Sequence, residues 1–215
     1  GNGLYLTHPD GTTTVYGHLQ RFAPSIAQYI KTQQYEQESF NVNLFLDPDQ
    51  LPVKKGEIVA YSGNTGSSGG PHLHFEVRDT ESEEVLDPIE YFKEKITDTR
   101  PPKIQGILIC PQQGKGAVNG SSRKLELKPA TAKNGKQTLT GKIEAWGEVG
   151  LAVKAYDYMD NTTNIYGVKD ITLRLDSQVI YHSNLDRFAF DETRYLNSFV
   201  DYEEWKDRRS FYMRS

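Results

Sequence analysis

The chain has 215 residues, of which 36% are hydrophobic and 25% charged, with a formal net charge of −4. That length suits one large or two ordinary domains with a moderate globular core. A net negative chain whose only C-terminal basic run is Arg208-Arg209 excludes a nucleic-acid footprint, and the absence of 18 consecutive apolar residues excludes a membrane-spanning helix.

The 13 tyrosines and 18 glycines favour strands and turns over helical bundles. The single cysteine, Cys110, rules out an internal disulfide, and its place in Ile107-Leu108-Ile109-Cys110 reads as a small core residue. The chain opens inside a strand pattern and without Met, so it reads as an excerpt of a longer protein.

Leu4–His8 alternates like a strand, Pro9-Asp10-Gly11 has turn chemistry, and Thr12–Tyr16 is β-branched and aromatic. Together they predict a hairpin. Over residues 22–39, Pro24-Ser25 can open a helix, and Phe22, Ile26, Tyr29 and Ile30 recur at helical spacing. With the polar stretch that follows, residues 22–52 read as a helix-and-loop insert. Val53–Ala60 predicts a second hairpin with Lys55-Gly56 at its turn. A glycine-rich loop over 61–70 leads into a strand, and a short helix is expected from Ile89 to about Lys95.

Thr97–Pro102 ends in two prolines and reads as a linker. The expected organisation is therefore a first domain at 1–96, a linker at 97–102 and a β domain at 103–215. Strands are expected at 103–110, 142–145, 151–157, 171–175 and 178–182, the last two joined by Asp176-Ser177. A helix is expected over 202–209. The short strands and turn spacing predict an immunoglobulin-like sandwich for this domain. The fold class is mainly β: an antiparallel sheet core with a helical insert, then the sandwich.

The most chemically loaded segment is Gly66-Ser-Ser-Gly-Gly-Pro-His72-Leu-His74-Phe-Glu-Val-Arg78. On a strand, residues i and i+2 share a face. His72, His74, Glu76 and Arg78 would line one face, and Leu73, Phe75 and Val77 an apolar one. Imidazole is both a zinc ligand and a general acid or base. The loop glycines at 63–70 would let a small-residue peptide lie close to the backbone.

Tyr16-Gly17-His18-Leu19, Val53–Gly66 and Gly69-Gly-Pro-His72-Leu-His74-Phe-Glu76, in that order, resemble the M23-type zinc metallopeptidases. These are the lysostaphin-like or LytM-like endopeptidases that cut peptide cross-bridges of bacterial peptidoglycan. The resemblance covers roughly residues 1–92. It implies His72 and His18 as catalytic imidazoles, His74 as a zinc ligand, Zn2+ as cofactor and an extracytoplasmic location. It also implies two further zinc ligands, a His and an Asp, upstream of the opening hairpin and so expected before residue 1. The substrate implied is peptidoglycan peptides. The 22–52 insert departs from compact family members, and the second domain is open to a wall, protein or intramolecular partner.

Other polar groups read differently. His8 and Asp10 belong to a turn, His182 to a surface hairpin, and Asp157, Asp160 and Asp170 to turns, since their spacing matches no calcium loop. Glu76 is either a carboxylate supporting a metal-bound imidazole or a solvated strand residue. Two other functional classes compete with the enzyme: an inactive LytM-like scaffold that activates other wall hydrolases, and a lipoyl- or biotinyl-like β domain suggested by Val53–Ala60. The second leaves the histidine pair unexplained.

Overall fold

The computed structural model describes residues 1–214. The chain is mainly β and divides into two compact units, Gly1–Pro88 and Ile89–Ser215.

In the first unit, β1 (Asn2–Thr7) and β2 (Thr12–Phe22) form the expected hairpin. Asp10 closes its turn, accepting from the Thr12 N–H at 3.1 Å and the Thr12 hydroxyl at 2.7 Å. Those two bonds, led by the hydroxyl, hold the Asp10 carboxyl below its usual range. His8 Nε2 lies 2.7 Å from the Thr14 hydroxyl. Both groups are thus engaged in the hairpin, as turn chemistry requires.

Helix α1 (Pro24–Glu36) starts at Pro24, where a missing N–H costs nothing in the first turn. Of its side chains only Ile26 is buried, so the helix rides on the surface. No helix or strand forms over residues 37–59, and Phe40 and Phe45 stand 96% and 90% exposed. The hairpin expected over Val53–Ala60 reduces to a turn, with Glu57 N–H donating to the Lys54 carbonyl at 3.0 Å and Gly56 at φ 88°. Its incoming arm finds no strand partner. Its outgoing arm pairs instead with the end of β2, as β3 (Ala60–Ser62).

Strand β4 (His74–Asp79) pairs antiparallel with β2, and β5 (Val85–Leu86) pairs with β4. Within this unit the order is β1-β2-β4-β5, with β3 on the far end of β2. Val15, Leu19, Ala23, Ile26 and Val77 are its buried apolar residues. The expected apolar face of β4 holds for Val77 and for Phe75, whose ring meets Tyr16 edge-on at 5.4 Å. It does not extend to Leu73, which lies ahead of the strand and is 46% exposed.

The second unit contains α2 (Ile89–Phe92), β6 (Lys103–Val118), β7 (Leu125–Leu127), β8 (Ala130–Thr131), β9 (Gln137–Thr138), β10 (Ala145–Tyr156), β11 (Asp170–Leu175), β12 (Gln178–Asn184) and β13 (Arg187–Phe188). After a 3-10 turn come α3 (Leu196–Phe199), α4 (Tyr202–Arg208) and β14 (Met213–Arg214). A four-stranded sheet runs β14-β10-β6-β7, and β11-β12 and β8-β9 form separate two-stranded pairs. This arrangement is not specifically an immunoglobulin-like sandwich. Its longest strands, β6 and β10, pair as one bulged antiparallel ribbon. The Asp176-Ser177 turn forms as expected, with both residues left-handed at φ 47° and 71°.

Leu108, Ala152 and Tyr212 form the core cluster, with Cys110 against it. Burial pushes the Cys110 thiol up, which keeps it protonated and suits a packing role. The Tyr212 hydroxyl donates to Glu126 at 2.8 Å with the ring fully buried. A Cβ at Gly106 would sit 2.3 Å from that hydroxyl. Gly106→Ala should therefore destabilise this unit by about 1–3 kcal/mol through overpacking. Both tryptophans, Trp146 and Trp205, lie in the second unit, so denaturant unfolding followed by their fluorescence reads it out. An unchanged midpoint would show that Tyr212 moves aside freely.

Candidate active site

Three imidazoles converge from three local structures. His18 stands on a β-bulge in β2. Asn2 faces Leu19 and Leu4 faces Tyr16, so one residue of β1 is opposed by two of β2, Gly17 and His18. The bulge sets His18 at φ 56°, a left-handed conformation that costs a non-glycine residue on the order of 1 kcal/mol. The adjoining loop holds it there. His18 Nδ1 lies 2.8 Å from the Thr65 carbonyl, and the Thr65 hydroxyl donates to the Leu19 carbonyl at 2.9 Å while accepting from the Asn2 N–H at 2.9 Å.

The loop glycines serve the chain itself more than the sequence suggested. A Cβ at Gly63 would lie 2.7 Å from the Gln20 backbone nitrogen, and one at Gly66 would lie 2.9 Å from the Gly1 Cα. Both positions let the loop close on its own backbone. Only Gly69 and Gly70, with nothing within 4 Å, match the expected open approach.

His72 sits outside β4, which begins at His74. An isolated bridge to Gly63 holds it, with its N–H donating to the Gly63 carbonyl at 3.0 Å. Its Nδ1 lies 2.8 Å from the Gly70 carbonyl and 3.2 Å from the Ser68 hydroxyl. A carbonyl accepts only, so His18 and His72 each carry a proton on Nδ1 and present Nε2 as the basic nitrogen when neutral. Their ring centroids are 4.8 Å apart.

His74 opens β4 opposite Gly17, and a Cβ at Gly17 would crowd it at 3.1–3.4 Å. Its ring centroid is 5.7 Å from that of His18, and the two rings are nearly perpendicular. Its Nε2 lies 2.5 Å from Glu76 Oε1. Glu76 Oε2 accepts from Arg78 Nε at 2.7 Å and Nη2 at 2.6 Å. Burial works to raise the Glu76 pKa, but the bonds from His74 and Arg78 outweigh it and hold the carboxyl below its usual range. This excludes the solvated reading of Glu76. It is a buried, ionised carboxylate gripped at both oxygens, not a solvated strand residue.

The period-two pattern located His74, Glu76 and Arg78. Nothing in the sequence signalled Thr65, whose role depends on the bulge, or Gly17 as the space for His74. In the second unit the other polar groups singled out in the sequence are engaged in bonds of their own. His182 lies 2.9 Å from Asp170 on an exposed hairpin, and Asp160 accepts from the Thr99 N–H and hydroxyl. A polar cavity of about 600 Å3 in the second unit, lined among others by Lys103, Lys128, Lys154 and Tyr212, includes no histidine.

For zinc, the donor chemistry fits at one position. A neutral His74 that donates Nε2–H to Glu76 keeps a lone pair on Nδ1, the usual state of a metal-ligating imidazole backed by a carboxylate. Among the described residues no group of three His, Cys, Asp or Glu side chains is arranged to hold a metal ion. A three-ligand zinc site would need donors besides those the described residues bring together.

Residues 41–88 match the model of peptidase family M23. The segment includes His72 and His74, and His18 precedes it. Over 78 residues the chain is 31% identical to the DD-carboxypeptidase/endopeptidase Mpg of Neisseria meningitidis serogroup B (strain ATCC 13091 / M2091) and to the Mpg of Neisseria gonorrhoeae (strain ATCC 700825 / FA 1090). The matched region is 36% of this chain and spans 13% of each of those proteins. Among solved structures, the antimicrobial peptidase lysostaphin from Staphylococcus simulans aligns at 18% identity and a TM-score of 0.29, over 69% of this chain and 76% of that one. The last likeness is too weak to bear on the fold. The family match contains His72 and His74, and residues 41–88 of the first unit are thus similar to peptidase family M23.

Proposed function

We propose that the chain is the catalytic part of a zinc metalloendopeptidase that hydrolyses peptide cross-links of bacterial peptidoglycan outside the cytoplasm. The observation that carries the reading is the convergence of His18 with His72 and His74, the last two within the segment that matches the family M23 model. Hydrolysis of a cross-link forms a carbon–oxygen bond from water, breaks the carbon–nitrogen bond and moves one proton to the leaving amine. Two neutral imidazoles with Nε2 free supply what those transfers require: a base for the attacking water and, once protonated, an acid for the amine. A protonated imidazole beside the carbonyl also stabilises developing negative charge on its oxygen.

In this reading His74 would hold zinc through Nδ1, together with the further His and Asp ligands that the family resemblance implies. Bound zinc supplies a Lewis acid that polarises the scissile carbonyl. The half-exposed His74 side chain and the open Gly69-Gly70 backbone leave room for an extended peptide.

The full-length protein should release peptide fragments from purified peptidoglycan. A chelator should abolish release, and added zinc should restore it. No fragments despite stoichiometric zinc would sink the enzyme reading in favour of an inactive scaffold.

A further inference from the structure

We propose that Glu76 is a positioning residue that sets the tautomer of His74, with Arg78 fixing which way Glu76 can act. An ionised carboxylate can only accept hydrogen bonds. With Oε1 at 2.5 Å from His74 Nε2, the proton between them belongs to the imidazole, and in the neutral ring Nδ1 keeps its lone pair. Arg78 occupies the other oxygen with two N–H donors. The carboxylate is therefore held at both oxygens by three donors, and it is 9% exposed. A buried charge held this tightly is costly unless its partners satisfy it fully. These partners do so, and the net result at the open end of the chain of bonds is a His74 with a defined lone pair. Gly17 lacks the Cβ that would crowd the His74 side chain at 3.1–3.4 Å.

The isosteric variant Glu76→Gln makes the inference sharp. Arg78 offers only donors, so it pulls the glutamine carbonyl oxygen to itself. The amide NH2 is then left facing His74 Nε2. A donor there requires Nε2 to accept, which moves the ring proton to Nδ1 and hides the lone pair. Inverting an imidazole tautomer by swapping a carboxylate for an amide disables a site while leaving its geometry intact. The double variant Glu76→Gln/Arg78→Met removes the pull, lets the amide turn its oxygen to His74 and restores the Nε2–H form.

The test is nitrogen-15 NMR of the labelled chain in mildly alkaline buffer, where ring-nitrogen shifts show which nitrogen carries the proton. Wild type should show His74 as Nε2–H, Glu76→Gln as Nδ1–H, and the double variant as Nε2–H again. Unchanged amide shifts of β2 and β4 establish that each variant is folded. Nδ1–H in the wild type overturns the inference whether or not the variants fold, and so does an unaltered tautomer in folded Glu76→Gln. This arm does not depend on the metallopeptidase reading. A second arm does rest on it. In the full-length protein, zinc affinity should fall about 10- to 100-fold in Glu76→Gln and recover in the double variant. If the tautomer inverts but zinc affinity stays level, the positioning role stands, and His74 is not the metal donor.

Discussion

In the full-length protein, His72→Ala should lower peptide release from purified peptidoglycan by ~10²–10⁴-fold, the range that one general acid or base contributes, with zinc content unchanged. His74→Ala should lose zinc and turnover together. The two residues sit two apart in sequence yet differ in what fixes them. His72 Nδ1 is tied to the Gly70 carbonyl in an irregular segment bridged to Gly63. His74 belongs to β4 and has its Nε2 on a buried carboxylate. The first arrangement suits an imidazole that cycles its proton at Nε2, because a backbone carbonyl tolerates either state of the ring. The second suits an imidazole that does not cycle. Metal analysis beside the activity assay separates them, and equal metal loss in both variants would refute the division of labour. His18→Ala should resemble His72→Ala, since its Nδ1 is likewise held by a backbone carbonyl.

How much of this site the sequence disclosed follows from the range of the interactions involved. The His74-Glu76-Arg78 row is set by strand periodicity, a local rule, and could be read directly. His18 was legible only through its motif. Its placement depends on a bulge that no local propensity encodes, and the Thr65 contacts that hold the bulge span 46 and 47 residues of sequence. His72 was placed on the strand by the same periodicity and lies before it, because Pro71 and the glycines ahead of it keep pairing to a single bridge. The second unit shows the same contrast. The Asp176-Ser177 hairpin is local and formed as read. The sandwich expectation depended on how strands from distant segments pair, and the β6–β10 ribbon, bulged between Gly147 and Val149, could not be foreseen from turn spacing.

The largest stability effect is expected at Asp201, and it comes from a residue with two jobs. Asp201 is fully buried and caps α4, accepting from the Glu204 N–H at 3.2 Å. Its two oxygens also lie 3.0 Å from Lys124 Nζ, and Arg214 reaches one of them at 3.3 Å. These bonds tie α4, β14 and the segment before β7 to one carboxylate. Asp201→Ala should cost about 2–4 kcal/mol, about 1 for the lost cap and about 1.5–3 for the hydrogen bonds to charged partners. Lys124 keeps Glu203 at 2.6 Å, which places the loss toward the lower end. Asp201→Asn keeps a good cap and removes only the charge, so it should cost about 1 kcal/mol less. Burial raises the Asp201 pKa, but Lys124, the Glu204 N–H and Arg214 outweigh it and hold it below its usual range. A depressed folded-state pKa stabilises above the unfolded value of about 3.9 and is lost as pH falls through the folded one. Tryptophan-monitored unfolding from neutral pH downward should therefore show wild type losing stability more steeply below about pH 4 than Asp201→Asn does. Parallel curves would mean that the charge of Asp201 contributes nothing and that its cap alone holds the helix.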